Sequence, residues 1–220
     1  MPLRCVDNRD PKSLASRLRK RRNEKFRDSI YTLPRPLNIL DVGGTAAVWR
    51  TIGFANAPDI RITLFNLKQE EVHETNIISM VGDARSMKSF TDAQFDVAYS
   101  NSVIEHLGNM EDMKKMAREI RRVSRIYFLQ TPYKYFPIEP HFMFPLFQFL
   151  PICWRIYLIR HFNLAWAGKI SDYDSAERAV KSITLLSKAQ LQSLFPDARI
   201  TTEKVLGFPK SLLAQTVSAL

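Results

Sequence analysis

Short apolar runs that end in polar residues recur through the first half of the chain. Asn38-Ile39-Leu40-Asp41-Val42 breaks into Gly43-Gly44-Thr45, and Arg61-Ile62-Thr63-Leu64-Phe65-Asn66, Met80-Val81-Gly82-Asp83-Ala84 and Phe95-Asp96-Val97-Ala98-Tyr99-Ser100-Asn101 follow in order. Runs of this length bounded by turn residues predict strands, here at 37–41, 60–66, near 77–81 and at 95–100. A helix is expected from near Thr45, a helix or turn after Asp83, and a helix over about 109–122. The last has the cleanest period. Met110, Met113, Met116, Ala117 and Ile120 share one face while Lys114, Lys115, Arg118 and Arg121 fill the other, which reads as core packing. Arg125-Ile126-Tyr127-Phe128-Leu129-Gln130 predicts a fifth strand, ended by Thr131-Pro132 because proline cannot continue a central ladder. Such alternation implies βαβ units and a mostly parallel sheet covered on both faces.

From Tyr133 to Trp166 the pattern changes. Phe142, Phe144, Phe147, Phe149, Trp154, Tyr157, Phe162 and Trp166 crowd together, interrupted by Pro137, Pro140, Pro145 and Pro151. A spanning helix needs about 20 predominantly apolar residues, and the prolines and Arg155 break any such run. Three uses remain open: a lid or pocket wall at the sheet's edge, a membrane-interfacial face, and a dimer interface. Further on, Ser187 is placed to cap a short helix over 188–195. Residues 198–206 and 211–218 supply two further strands.

Composition adds one distinctive feature. The 220 residues can bury one core with appendages, and 45% hydrophobic with 25% charged residues argues against general disorder. The net charge of +10, however, is concentrated. Arg17, Arg19, Lys20, Arg21, Arg22, Lys25 and Arg27 crowd a leader (1–36) expected to form a helix from Ser13, closed by Ser29 and the Pro34/Pro36 pair. Either a solvated basic helix or contact with an anionic surface accounts for it. The two cysteines, Cys5 and Cys153, have no paired metal-ligand spacing and fit a reducing compartment. Met1–Asp10 lacks the apolar core of a secretory signal, so the expected location is cytoplasmic, with peripheral attachment at the inner membrane face a further option.

The strand tips carry the chemistry. In an open parallel sheet the carboxyl ends of neighbouring strands line one crevice, so Asp41, Asn66, Asp83 and Asn101 are expected to converge there. The glycine turn offers backbone N–H groups and a helix start to an anionic or hydroxylated ligand. Leu40-Asp41-Val42-Gly43-Gly44-Thr45, Gly82-Asp83-Ala84-Arg85 and, above all, Phe95 through Leu107 with Ser102-Val103-Ile104-Glu105-His106 resemble the cofactor half of a class I S-adenosylmethionine-dependent methyltransferase of the small methyltransferase-11-like kind, over about 37–132. Ile138-Glu139-Pro140-His141, Leu186-Ser187-Lys188, Leu194-Phe195-Pro196 and Gly207-Phe208-Pro209-Lys210-Ser211 resemble a bacterial subset of that family.

The resemblance implies an α/β, Rossmann-like, seven-stranded, mostly parallel sheet with helices on both faces, its last two strands mutually antiparallel. An aromatic-rich insertion (about 133–170) follows the fifth strand within a domain at 37–220. It implies S-adenosyl-L-methionine as cofactor, held by Asp41, Gly43, Gly44, Thr45, Asn66, Leu67, Asp83, Ala84 and Asn101. Asp41 would lie near the methionine portion and Asp83 with the Ala84 N–H would read adenine, a helix-capping aspartate being the alternative for Asp83. Departures are visible: Thr45 and Ala47 stand where the family's D-x-G-x-G-x-G has glycines, and Asn66 stands where an acidic residue grips the ribose. An amide can accept one hydroxyl but supplies no charge; Glu70 and Glu71 lie near enough in sequence to substitute.

His106 can accept a proton at neutral pH, as O-methylation requires, or simply orient a helix start. Glu139 and His141 form the other acid/imidazole pair, on a proline-flanked loop expected to contact substrate. Some quinone and RNA methyltransferases resembling this region bind a metal through E-x-x-E-H, but Ser102 replaces the first glutamate. One carboxylate and one imidazole make a poor site, so no metal is expected unless other ligands join. The leading expectation is O-methylation of a small-molecule or lipid- or sugar-linked acceptor, with peripheral membrane contact through the aromatic segment and basic leader. A non-catalytic scaffold with the same fold comes second. A nucleic-acid methyltransferase comes third: the chain lacks Asn-Pro-Pro-Tyr or Asp-Pro-Pro-Tyr after the fourth strand, so nucleic acid is disfavoured. Oligomeric state is not legible.

Overall fold

A computed structural model describes residues 14–164 and 168–216. Its strands are β1 (Leu37–Val42), β2 (Ile60–Asn66), β3 (Ile77–Val81), β4 (Phe95–Asn101), β5 (Ser124–Pro132), β6 (Ile138–Glu139), β7 (Phe144–Pro145), β8 (Ala198–Val205) and β9 (Phe208–Thr216). Its helices are α1 (Leu14–Ser29), α2 (Ala46–Ile52), α3 (Met110–Val123), α4 (Ile152–His161), α5 (Tyr173–Lys181) and α6 (Lys188–Leu194). Seven strands form one sheet in the order β3-β2-β1-β4-β5-β9-β8. β1 runs parallel to both β2 and β4, β2 parallel to β3, and β8 antiparallel to β9. This is the mostly parallel α/β sheet expected, and the strand bounds agree to within a few residues. Cys5, Ser13, Trp166 and the tail beyond Thr216 lie outside the described residues.

Two compact units divide the chain: residues 1–99 with 121–128, and 100–120 with 129–220. In the first, Ile39, Leu40, Leu64 and Val97 are buried, as strands covered on both faces demand. The basic helix α1 is more than a solvated arm. Its Phe26 is fully buried, with its ring 4.7 Å from Tyr99, 5.3 Å from Phe128 and 6.0 Å from Trp49. Burying an aromatic of this size contributes about 2–3 kcal/mol, so α1 is anchored by its apolar residues while most of its cations remain at the surface.

In the second unit the segment after β5 is structured throughout its described part. The hairpin of β6 and β7, then α4 and α5, enclose Phe142, Phe147, Ile156, Ile159, Ala176 and Val180 in a core of their own. α4 was hidden by its weak amphipathy. α5 begins at Asp172, whose carboxylate accepts from the Ser175 N–H, a cap that precedes Ala176 and Val180 on one face. The expected cap of α6 is a full capping box of Ser187 and Gln190. On α3, Met113, Met116, Ala117 and Ile120 are buried, and the methionine stripe is core. After Asp83 the chain makes a turn, not a helix, with Ser86 N–H donating to the Asp83 carbonyl.

Candidate active site

In the first unit, hydrogen bonds lace three strand tips together. The Gly43 N–H donates to the Phe65 carbonyl at 3.0 Å, the Gly82 N–H to the Asn66 carbonyl at 2.8 Å, and the Asn66 amide nitrogen to the Gly44 carbonyl at 2.9 Å. Gly43 has φ +82, which glycine adopts without strain. Gly44 needs to be glycine for a different reason: a Cβ there would collide with the Asp41 carboxylate. A Cβ on Gly82 would likewise strike the Phe65 ring. Close backbone approach at both turns leaves Gly43, Thr45 and Leu67 exposed at the rim.

Asp41 is completely buried beneath this turn, where its Oδ2 accepts from the indole N–H of Trp49 at 2.7 Å and its Oδ1 has no partner. Burial pushes its pKa up to about 7, with the Trp49 hydrogen bond opposing the shift. Trp49 was the missed partner; its only sequence signal is a large residue three positions into the helix after the glycines. Asn66, by giving its NH₂ to Gly44, leaves its carbonyl oxygen as an acceptor. Asp83 is engaged by Arg85, which holds both carboxylate oxygens, the closest contact being 2.6 Å. An exocyclic amine at Asp83 has to share or displace that partner. Glu71 is exposed and faces His73 at 3.4 Å. The three tips carrying Asp41, Asn66 and Asp83 are thus brought together; Asn101 ends β4, half-buried.

In the second unit, the 3-10 turn Ile104–Leu107 and the loop Glu139–Phe142 bring four groups together. The Glu139 carboxylate is buried and held by its own loop: Oε2 accepts from the His141 and Phe142 N–H groups at 2.8 and 2.7 Å, and Oε1 meets His141 Nδ1 at 2.7 Å. His141 and His106 stand edge to face with ring centroids 4.9 Å apart. Glu105 is fully buried. Its Oε2 accepts from Thr131 Oγ1 at 2.9 Å, its Oε1 has no partner, and burial raises its pKa to about 7. The imidazoles are pushed apart. Burial and the neighbouring His141 lower His106, whereas for His141 burial is outweighed by the Glu139 hydrogen bond and charge, which raise it.

Glu105, His106 and His141 each offer one ligand atom, all within 4.8 Å of one another. This third group, absent from the sequence reading of Glu105-His106 alone, is supplied by the loop after β5. Ser102 takes no part, since its Oγ donates to Gln130 at 2.8 Å.

Residues 40–126 match the methyltransferase domain family. That match spans the strands and turns of the candidate site and agrees with the resemblance to class I S-adenosylmethionine-dependent methyltransferases read from the sequence. Among solved structures, the methyltransferase fold recurs in the CurJ carbon methyltransferase, at 14% identity and a TM-score of 0.58, covering 93% of this chain and 55% of that one. A SAM-dependent methyltransferase from Aquifex aeolicus matches at 14% identity and 0.53, covering 99% of both chains. At such identities the likeness is one of fold. This chain spans little more than half of the carbon methyltransferase it resembles. No curated protein sequence matches it.

S-adenosylmethionine is the cofactor that the methyltransferase-domain match implies, and the first unit fits it. The exposed Gly43 and Thr45 leave the turn open to solvent, and the Asn66 side-chain oxygen, whose amide nitrogen is spent on Gly44, suits a ribose hydroxyl. S-adenosylmethionine would supply an activated methyl group when bound, which leaves a protein chiefly the alignment of an acceptor.

Proposed function

We propose that this methyltransferase transfers the methyl group to an oxygen of a small-molecule or lipid- or sugar-linked acceptor, with the His106–His141 pair taking the hydroxyl proton. The cofactor residues are those expected from the sequence: Asp41, Gly43, Gly44, Thr45, Asn66, Leu67, Asp83, Ala84 and Asn101. One observation carries the base assignment. Glu139 fixes Nδ1 of His141, so the opposite ring nitrogen is left to act on substrate, beside a second imidazole at 4.9 Å. S-adenosylmethionine, when bound, would supply a methyl group whose carbon–sulfur bond breaks as the acceptor oxygen takes the carbon, and the hydroxyl proton would pass to the imidazole pair.

Exposed Leu146, Phe149, Ile152, Trp154, Tyr157 and Phe162 support a peripheral lipid contact and so a lipid-linked acceptor. No helix among the described residues is long and apolar enough to cross a membrane.

Methyl transfer from labelled cofactor into fractionated metabolites and lipids tests the reading. His106→Gln and His141→Gln should each cost about 100-fold or more in rate with S-adenosylhomocysteine binding retained. Unchanged rates in both variants refute the base role. Absence of S-adenosylhomocysteine binding, together with a biological role that survives Asp41→Ala, favours the scaffold reading. Steep loss of acceptor affinity with salt favours nucleic acid.

A second reading has its own observation, the three ligand atoms of Glu105, His106 and His141. A divalent ion there would activate the hydroxyl directly. Activity abolished by a chelator and restored by a divalent salt selects this route; indifference to the chelator selects the imidazole pair.

A further inference from the structure

A cavity of about 160 Å³ lies beside Glu139, walled by Phe142, Phe147, Val180, Ile183 and Leu185. Its polar lining includes Lys134, Gln148 and Arg155. Two of these present a buried polar atom without a hydrogen-bond partner. Gln148 gives both amide hydrogens to backbone carbonyls, Lys134 O at 2.9 Å and Phe136 O at 2.8 Å, which fixes the amide's orientation and leaves its buried Oε1 without a donor. Arg155 keeps its Nε–H buried and unpartnered. Glu139 lies close enough to act on Arg155 by its charge but does not accept its Nε–H, its oxygens accepting from the His141–Phe142 loop instead. A buried donor and a buried acceptor each left unsatisfied are costly unless something completes them.

We infer that this cavity binds the acceptor as an aromatic ring carrying a carboxylate and a hydroxyl. The volume is that of a cavity that accepts one benzene-sized ring, ~150 Å³. Arg155 and Lys134 call for an acidic oxygen, with Arg155's Nε–H as the directed donor. Gln148 Oε1 calls for a hydroxyl hydrogen. Five apolar walls select an aromatic over a sugar ring, whose hydroxyls would meet no partners on those sides. Glu139, which lines the cavity and also holds His141, ties this ligand to the imidazole pair. The inference rests on the methyltransferase reading, since it gives the acceptor's class for that site.

Calorimetry on the full chain tests it with 3-hydroxybenzoate, benzoate, phenol and glucuronate. 3-Hydroxybenzoate should bind saturably, benzoate several-fold weaker, and phenol and glucuronate about tenfold weaker or worse. Arg155→Met should reduce 3-hydroxybenzoate to the level of phenol, and Arg155→Lys should restore part of the loss. Phenol equal to 3-hydroxybenzoate, no saturable binding, or indifference to Arg155→Met overturns the proposal; glucuronate binding more tightly overturns the aromatic assignment. The ligand panel on the unaltered chain decides the matter even if the variants fail to fold. S-adenosylhomocysteine titrated into the same sample separates the two readings: its binding without ring-acid binding sinks only the cavity, and the reverse sinks the methyltransferase reading and with it the ring acid's role as acceptor, while the cavity's ring-acid binding stands.

Discussion

The turn after β1 and the loop after β5 both bury a carboxylate, and they solve the resulting problem in opposite ways. Asp41 has one donor, the Trp49 indole, and its second oxygen is unpartnered, so burial dominates and its proton is held up to about pH 7. Glu139 has three donors, two of them backbone N–H groups of its own loop. The first carboxylate fills space beneath a glycine turn and can exist neutral. The second is the acceptor around which a loop is built, and with it the placement of His141. A buried acid can therefore be a packing element or an organising centre, and the count of its donors tells which.

Removing the organiser should have the largest effect. Glu139→Ala leaves the Phe142 and His141 N–H groups and the His141 ring without their acceptor, and should cost about 3–5 kcal/mol in urea unfolding. Glu139→Gln, which keeps one acceptor oxygen, should cost clearly less. Equal losses in the two variants would mean that volume, not hydrogen bonding, holds the loop.

Next in size is the pH response of Asp41. Its folded pKa of about 7 stands above its ordinary 3.8, so the folded state binds the proton more tightly than the unfolded. Its stabilising contribution is then complete below about pH 4 and lost as pH rises through 7, by about 2–4 kcal/mol in all. Asp41→Asn should match the parent at low pH and exceed it in stability above neutrality. A constant difference from pH 4 to 8 would contradict the burial argument.

Gly44→Ala should cost about 1–3 kcal/mol and abolish S-adenosylhomocysteine binding, because the new methyl meets a carboxylate that Trp49 holds in place. Adding Asp41→Ala should recover stability without recovering binding. The smallest effect belongs to Asn66→Ala, about 1 kcal/mol, with S-adenosylhomocysteine bound about five- to tenfold more weakly by calorimetry.

These two regions were also unequally legible in the sequence. The tips of β1 to β3 could be placed because each apolar run ends where a polar residue or glycine must, and the sheet's connectivity does the rest. What escaped was local and three-dimensional: the Trp49 clasp on Asp41 and the Arg85 grip on Asp83 depend on side-chain direction. In the second unit, Glu105, His106, Glu139 and His141 were visible as residues, but that the loop would deliver His141 beside His106 was not, since 34 positions of chain separate them. Arg155 was legible only as a break in the apolar run and Gln148 not at all, since they lie in an aromatic stretch whose α4 has too little amphipathy to show its face.

The Asn66 amide has two ends with separate duties. While its nitrogen steadies Gly44, its oxygen is the acceptor that the proposed cofactor reading gives to the ribose. A nucleoside seated there stiffens the very turn that must receive the amino-acid arm, so adenosine and methionine, offered as separate fragments, should reinforce each other's occupancy, and cutting the amide back to alanine should make the two indifferent.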